Sequence, residues 1–335
     1  IITHKLNEVM EISDRVAVLR KGEFIGAVNT SETSVQELTD MMVGHKTDLN
    51  IHRGEPVGCE ERLVVGGLCL TDHEGVQKLK EVSFTARSGE ILGIAGIAGS
   101  GQRELLEAIA GLQRANAGKI VYNDPKTGKE ENLMRKSPAK IRELGVRLSF
   151  VPEDRLGMGL VGSMDIIDNM MLRSYKKGIP LRIDKKHILN IPLVLDRKRP
   201  KQLAERIIRE LEVVTPSSHT PVRRLSGGNI QKVLVGREIA AAPTVFMAAY
   251  PVRGLDINSS YTIYNLLNEQ KENGVAVIYV GEDLDVLIEL CDRIMVLCAG
   301  KVTGIVDGRT TNKETIGLMM TDSLHSGTDG EVAND

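Results

Sequence analysis

Two stretches of this 335-residue chain set glycines where backbone N–H groups could close on a phosphate. The first, Gly96-Ile97-Ala98-Gly99-Ser100-Gly101-Gln102-Arg103, follows the apolar run EILGIAG and opens a helical pattern. A Gly-rich loop between strand and helix is the frame in which GxxxxGK[ST] cradles phosphates, the Lys reaching the outer phosphates and the Ser/Thr hydroxyl holding Mg²⁺. Here Gln102 stands at the Lys position and Arg103 at the Ser/Thr position, so the glycines remain while the ammonium and the metal-binding hydroxyl do not. The second stretch is Leu225-Ser226-Gly227-Gly228-Asn229-Ile230-Gln231-Lys232. Ser226 sits where a helix would start, and the two glycines let the backbone approach an oxyanion at the positive end of the helix dipole. Each stretch also has an ordinary reading: a generic Gly-rich turn for the first, a Ser N-cap with a flexible Gly pair for the second.

The elements that must hold these loops are legible as alternating patterns. Apolar runs EILGIAG, RLSFVPE, TVFMAAY and VAVIYVG alternate with helical stretches, the order of an α/β fold with a parallel core sheet. The insert from 157 to 240 has longer helical periodicity and basic loops, KKHILN and DRKRPKQL. The chain also ends as it begins. Leu6, Asp14, Arg15, Val18, Leu19, Gly22, Gly26 and Val28 recur without a gap as Leu284, Asp292, Arg293, Val296, Leu297, Gly300, Gly304 and Val306, and Met41-Met42 recurs as Met319-Met320. Such a chain is one copy of a unit and a fraction of another. The expected organisation is a first-copy tail over 1–43, a polar Gly- and Pro-containing linker over 44–62, a complete unit over 63–321 with a helical subdomain at about 157–240, and a disordered acidic tail over 322–335.

Composition narrows the class. With 41% hydrophobic and 26% charged residues and a net charge of -2, the chain reads as globular, without the basic footprint of a nucleic-acid binder. It contains no Trp and 3% aromatics, which argues against a base-stacking platform. No apolar run approaches the ~20 residues that span a bilayer, and the start reads as a strand entering a helix, not as a signal peptide. Cys59, Cys69, Cys291 and Cys298 show no CxxC spacing, and His45, His52, His73, His187, His219 and His325 show no ligand spacing, so no metal is assigned to them.

LSGGNIQK at 225–232, VPEDR at 151–155 and RGLD at 253–256 together resemble the ATP-binding-cassette (ABC) ATPases, in particular the tandem-cassette subunits of bacterial importers for ribose, galactose and nucleosides. GSGQREL at 99–105 and the alanines before RGLD look more like the purine-nucleoside type, from which Tyr250 and Val252 depart. The resemblance implies a P-loop NTPase cassette with a parallel core sheet, an antiparallel β subdomain and an inserted helical subdomain, with ATP and Mg²⁺ as ligands. It also implies an upstream cassette in the same chain, membrane permease subunits, indirectly a solute-binding lipoprotein, and a place on the cytoplasmic face of the membrane. Two cassettes of this family close head to tail, each ATP lying between one phosphate loop and the other's signature.

On that frame His4 is the switch histidine of the upstream cassette, and Glu282 takes its place in the second copy. A carboxylate about 4 Å from a phosphate charge is repelled by roughly 4 kcal/mol at an effective dielectric of about 20. Ala249 and Tyr250 replace the acidic pair that holds Mg²⁺ and orients water, and losing the water-orienting group alone costs on the order of 10²- to 10⁴-fold in rate. Glu153 corresponds to the glutamine lever, and Asp256 closes the D-loop. The expectation is one competent site, joining an upstream phosphate loop and His4 to Ser226, Gly227, Gly228, Asn229 and Gln231. The other site, Gly96, Gly99, Ser100, Gly101, Gln102 and Arg103 with Ala249, Tyr250 and Glu282, is expected to bind weakly or not at all. A non-transport cassette ATPase and a non-catalytic structural module are the alternatives from other classes.

Overall fold

The computed structural model describes residues 1–3, 6–20, 22–44, 50–143, 148–172, 179–182, 188–191 and 197–321. In chain order come α1 (Leu6–Ile12), β1 (Arg15–Arg20), β2 (Glu23–Asn29), α2 (Val35–Val43), β3 (Glu61–Thr71), β4 (Gln77–Arg87), β5 (Glu90–Ala95), α3 (Gln102–Ile109), β6 (Ala117–Asn123), β7 (Glu130–Asn132), α4 (Pro138–Glu143) and β8 (Leu148–Val151). They are followed by α5 (Ile166–Met171), β9 (Ile179–Arg182), β10 (Ile188–Ile191), α6 (Lys198–Glu210), α7 (Gly227–Ala240), β11 (Val245–Ala249), α8 (Ile257–Glu272), β12 (Ala276–Val280), α9 (Leu284–Leu290), β13 (Arg293–Cys298), β14 (Lys301–Asp307) and α10 (Lys313–Met320).

The core sheet has the order β14-β13-β5-β12-β11-β8, parallel except where β14 folds back on β13. Every residue of β5, β11 and β12 is buried, because helices and a second sheet cover both faces, as continuous apolar strands require. The second sheet, β4-β3-β6-β7, is antiparallel and packs with Leu92, Ile94, Met247 and Ile278 into one core; α6, α7 and α8 pack on the opposite face with Phe246, Val277 and Tyr279. This is the α/β cassette architecture expected. The insert differs from its helical reading in one place. Ile179–Arg182 pairs antiparallel with Ile188–Ile191, where Pro180 and β-branched Ile disfavour a helix interior.

The internal repeat is also structural. α1, β1, β2 and α2 recur as α9, β13, β14 and α10 at one offset, Leu284 minus Leu6 giving 278. The register shift between Val18 and Leu19 returns between Val296 and Leu297, and the N-caps Ser34 and Asn312 occupy matching positions. Surroundings separate the copies. β13 lies between β5 and β14, with Ile294 to Leu297 buried, whereas β1 pairs only with β2 among the described strands and leaves Leu19 66% and Phe24 65% exposed.

Where described, the segment between the copies is tied to the cassette. Val57 N donates to Gly89 O at 3.1 Å and Cys59 N to Ser88 O at 3.1 Å. Arg53 Nη1 donates to the carbonyls of Ile288 at 2.9 Å and Cys291 at 2.5 Å, at the C-terminal end of α9 where a cation complements the helix dipole. The Gly54 carbonyl accepts from Lys271 Nζ at 2.6 Å, and that buried ammonium also pairs with Asp292 at 2.7 Å. The tail over 322–335 lies outside the described residues.

Candidate functional site

Four loops leave the same edge of the parallel sheet, since Val280 aligns with Ile94, Ala249 with Val280 and Ala248 with Val151. They are Gly96–Gly101 after β5, Gly281–Glu282 after β12, Tyr250–Asp256 after β11 and Pro152–Arg155 after β8. Crevices outside the carboxyl ends of parallel strands are where α/β sheets bind ligands.

Gly101 caps α3 with φ 103, and a Cβ there would lie 2.7 Å from the Lys78 carbonyl, so the glycine is demanded by both backbone and space. Ser100, in the same loop, is buried. Gln102 does not point outward as a phosphate-binding lysine would. It is 2% exposed, and its Nε2 donates to the Ile97 carbonyl of its own loop at 3.1 Å. Arg103 turns along α3 and donates from Nε to Glu107 Oε1 at 2.7 Å, while Glu107 also accepts from Gln113 at 2.6 Å. Arg103 thus holds its own carboxylate partner through Nε while its side chain stays largely exposed beside the cleft. A cleft of about 340 Å³ adjoins, lined by Arg103, Glu107, Pro152, Glu153, Asp154, Met158 and Ala249.

Ala249 ends β11 buried, offering a methyl group where a metal carboxylate would stand. Tyr250 follows at φ 47, a left-handed conformation uncommon outside glycine. Burial pushes its phenol pKa up, and the negative charges of Glu153 and Glu282 push it further. Those two carboxylates share one cation: Arg253 Nη1 pairs with Glu153, its Nε lies 3.4 Å from Glu282, and its guanidinium sits 6.0 Å from the Tyr250 ring centroid. The D-loop arginine thus closes on Glu153 and Glu282 within its own chain. Arg103 at the hydroxyl position and Ala249 at the carboxylate position offer no oxygen ligand there, while Arg253 pairs with Glu153, one of the carboxylates that line the cleft.

The other glycine-rich element is built differently. Ser226 is exposed and caps the 14-residue α7, its Oγ accepting from Asn229 N at 3.4 Å and Asn229 Nδ2 at 2.9 Å. Asn229 Oδ1 in turn accepts from Val214 N at 2.9 Å. Gly228 is buried, and a Cβ there would lie 2.6 Å from Ser259 Oγ. Asp256 caps α8, accepting from Ser259 N at 3.0 Å and Ser259 Oγ at 2.8 Å, and thereby fixes the hydroxyl that Gly228 packs upon. Gln231 departs from its expected ligand role: it is 0% exposed, with neither amide atom hydrogen-bonded. His4 lies outside the described residues. The helix after it, α1, contributes Leu6 and Val9 to a small core against which Ile257 packs, one residue beyond Asp256. Sequence reasoning gave no role to Arg155 or Glu107 and no ion pairing to Arg253; VPEDR and RGLD were the available signals.

No helix among the described residues is long and apolar enough to cross a membrane. The glucose import ATP-binding protein TsgD13 of Haloferax volcanii is 35% identical over 322 residues, which are 96% of this chain and 56% of that protein. The guanosine import ATP-binding protein NupO of Bacillus subtilis is 36% identical over 313 residues, 93% and 58% of the two. The chain thus spans somewhat over half the length of these curated relatives. A dimeric bacterial ABC transporter cassette shares the fold, with TM-score 0.60 at 20% identity over 74% of this chain and 100% of that one. Residues 79–251 match the family described as ABC transporter, and with the cassette fold built around these two loops the chain belongs to that family.

Proposed function

We propose that this chain is part of the ATP-binding subunit of an ABC importer for a simple sugar or nucleoside, and that its cassette lends its signature to a competent site while its own site is degenerate. The observation that carries this is an asymmetry. Ser226 and Gly227 remain accessible at the start of α7, while Gln102 is folded into its own phosphate loop and Arg253 occupies the acids around it. Similarity to import ATP-binding proteins for glucose and guanosine supports the substrate class. The 278-residue repeat and the open edge of β1 support an upstream cassette, and Ile257 against the first-copy core supports its head-to-tail seat beside the D-loop.

In the competent site, an upstream phosphate loop would hold ATP with Mg²⁺, His4 would serve as its switch histidine, and the N–H groups at Ser226–Gly228 would stabilise the charge that develops as water displaces ADP. Permease subunits on the cytoplasmic face of a membrane would receive the resulting closure, a solute-binding lipoprotein acting beyond them.

In the full-length protein, Ser226→Arg should abolish ATPase and Gln102→Ala should leave it nearly unchanged. Equal loss from both would overturn the assignment of the two sites. This chain alone, titrated with Mg-ATP in a calorimeter, should bind more weakly than about 0.1 mM, roughly 5.5 kcal/mol on the 1 M scale. Tight, Mg-dependent binding would refute the degenerate site.

A further inference from the structure

Arg155 opens a π-helical turn, Arg155–Gly159, held by Asp154 Oδ1 accepting from Gly157 N at 2.8 Å. Such turns are rare and recur at functional sites. This one sends the guanidinium across to the D-loop, where Nη2 donates to the Arg253 carbonyl. Nη1 lies 3.2 Å from where a Cβ on Gly227 would stand, so the guanidinium borders the start of α7. Arg103, Arg197, Arg253 and Arg293 each pair with a carboxylate; Arg155 pairs with none among the described residues. It is partly buried, and desolvation pulls its pKa down.

A desolvated cation without a counter-ion is costly, and the positive end of a helix dipole beside it raises that cost. An anion placed between them would relieve both. Resting on the shared-site reading above, we infer that Arg155 is a further phosphate-contacting residue of the competent site, presented in trans together with Ser226–Gly228. The γ-phosphate then meets the signature N–H groups on one side and N–H donors of the Arg155 fork on another. Water attacks phosphorus, the bond to ADP breaks, the water's proton leaves to the phosphate product and solvent, and Arg155 stabilises the charge without gaining or losing a proton.

The test is steady-state ATPase of the full-length protein carrying Arg155→Met, Arg155→Lys or Arg155→Gln, with Ser226→Arg alongside and thermal melting of each. Arg155→Met should lower kcat/KM about 10- to 100-fold, the span of one lost charge-assisted hydrogen bond. Lys should recover most of the loss and Gln should not, at unchanged melting temperature. Gln equal to wild type, or Lys no better than Met, would make Arg155 a brace for the Arg253 carbonyl and overturn the inference. If Met fails to fold, the Lys and Gln comparison still decides. Wild-type kinetics in all three with an inactive Ser226→Arg would sink the role of Arg155 and leave the shared site standing; an active Ser226→Arg would sink the shared site itself.

Discussion

Gln102 Nε2 donates to the Ile97 carbonyl at 3.1 Å, so the side chain at the lysine position of the phosphate loop is spent on its own backbone. Restoring the ammonium alone should not restore the site. A charged hydrogen bond contributes about 1.5 to 3 kcal/mol, yet Arg103 and Ala249 still leave the hydroxyl and strand-end carboxylate positions without an oxygen ligand for Mg²⁺. Gln102→Lys in this chain should therefore bind Mg-ATP no tighter than about 0.1 mM by calorimetry. Micromolar affinity would mean that the loop lacked only its lysine.

Arg253 between Glu153 and Glu282 makes Tyr250 a reporter of that cluster. The positive charge of Arg253 lowers the phenol pKa, while burial and the two carboxylates raise it. Arg253→Met should move the pKa further up and Glu282→Gln should move it down, read as tyrosinate absorbance against pH after subtraction of Tyr250→Phe. Because the folded-state pKa is raised, the contribution of Tyr250 to stability is complete below the unfolded value of about 10 and is lost as pH rises through the folded one. Opposite shifts would place the arginine elsewhere in solution.

Lys271 anchors the segment between the copies. It is 0% exposed and bonded to both Asp292 and the Gly54 carbonyl, while Asp292 Oδ2 accepts from Ile91 N at 2.9 Å. Lys271→Met leaves the buried Asp292 carboxylate with only Arg309, 3.8 Å away, as a counter-charge, an expected loss of about 3 kcal/mol in urea denaturation. Adding Asp292→Asn should recover part of it, because the neutral amide can still accept from Ile91. A loss below about 1 kcal/mol would show the pair to be solvated.

What the sequence disclosed and what it withheld divide along range. β5, β11 and β12 were legible because a strand buried on both faces is a bare apolar run, and the repeat was legible because it has no gap. The Glu153–Arg253–Glu282 cluster was not: Glu153 and Arg253 lie on loops 100 residues apart, joined only by the order β12-β11-β8. Gln231 misled because its motif suggests a ligand, while five residues beyond Ser226 lies about 140° around the helix, on the buried side. Arg53 was silent in a stretch that composition alone describes as linker, and Lys271, on α8, gave no sign that it anchors that stretch.

Leu297 and Leu19 occupy one position of the repeat in opposite environments, the first fully buried and the second 66% exposed. Leu297 is buried in the core that β3, β4 and β5 share, and no described strand takes their place beside Leu19. In this chain Leu297→Ala should cost about 2 to 5 kcal/mol, the range for a truncated core leucine, and Leu19→Ala no more than about 0.5 kcal/mol. In the full-length protein Leu19→Ala should rise to the cost of Leu297→Ala, because burial and not residue type sets the penalty. Denaturant midpoints of both variants in both lengths settle it: a Leu19 that stays neutral in the full-length protein would mean that β1 has no upstream strand to pair with, and the tandem reading would fall with it.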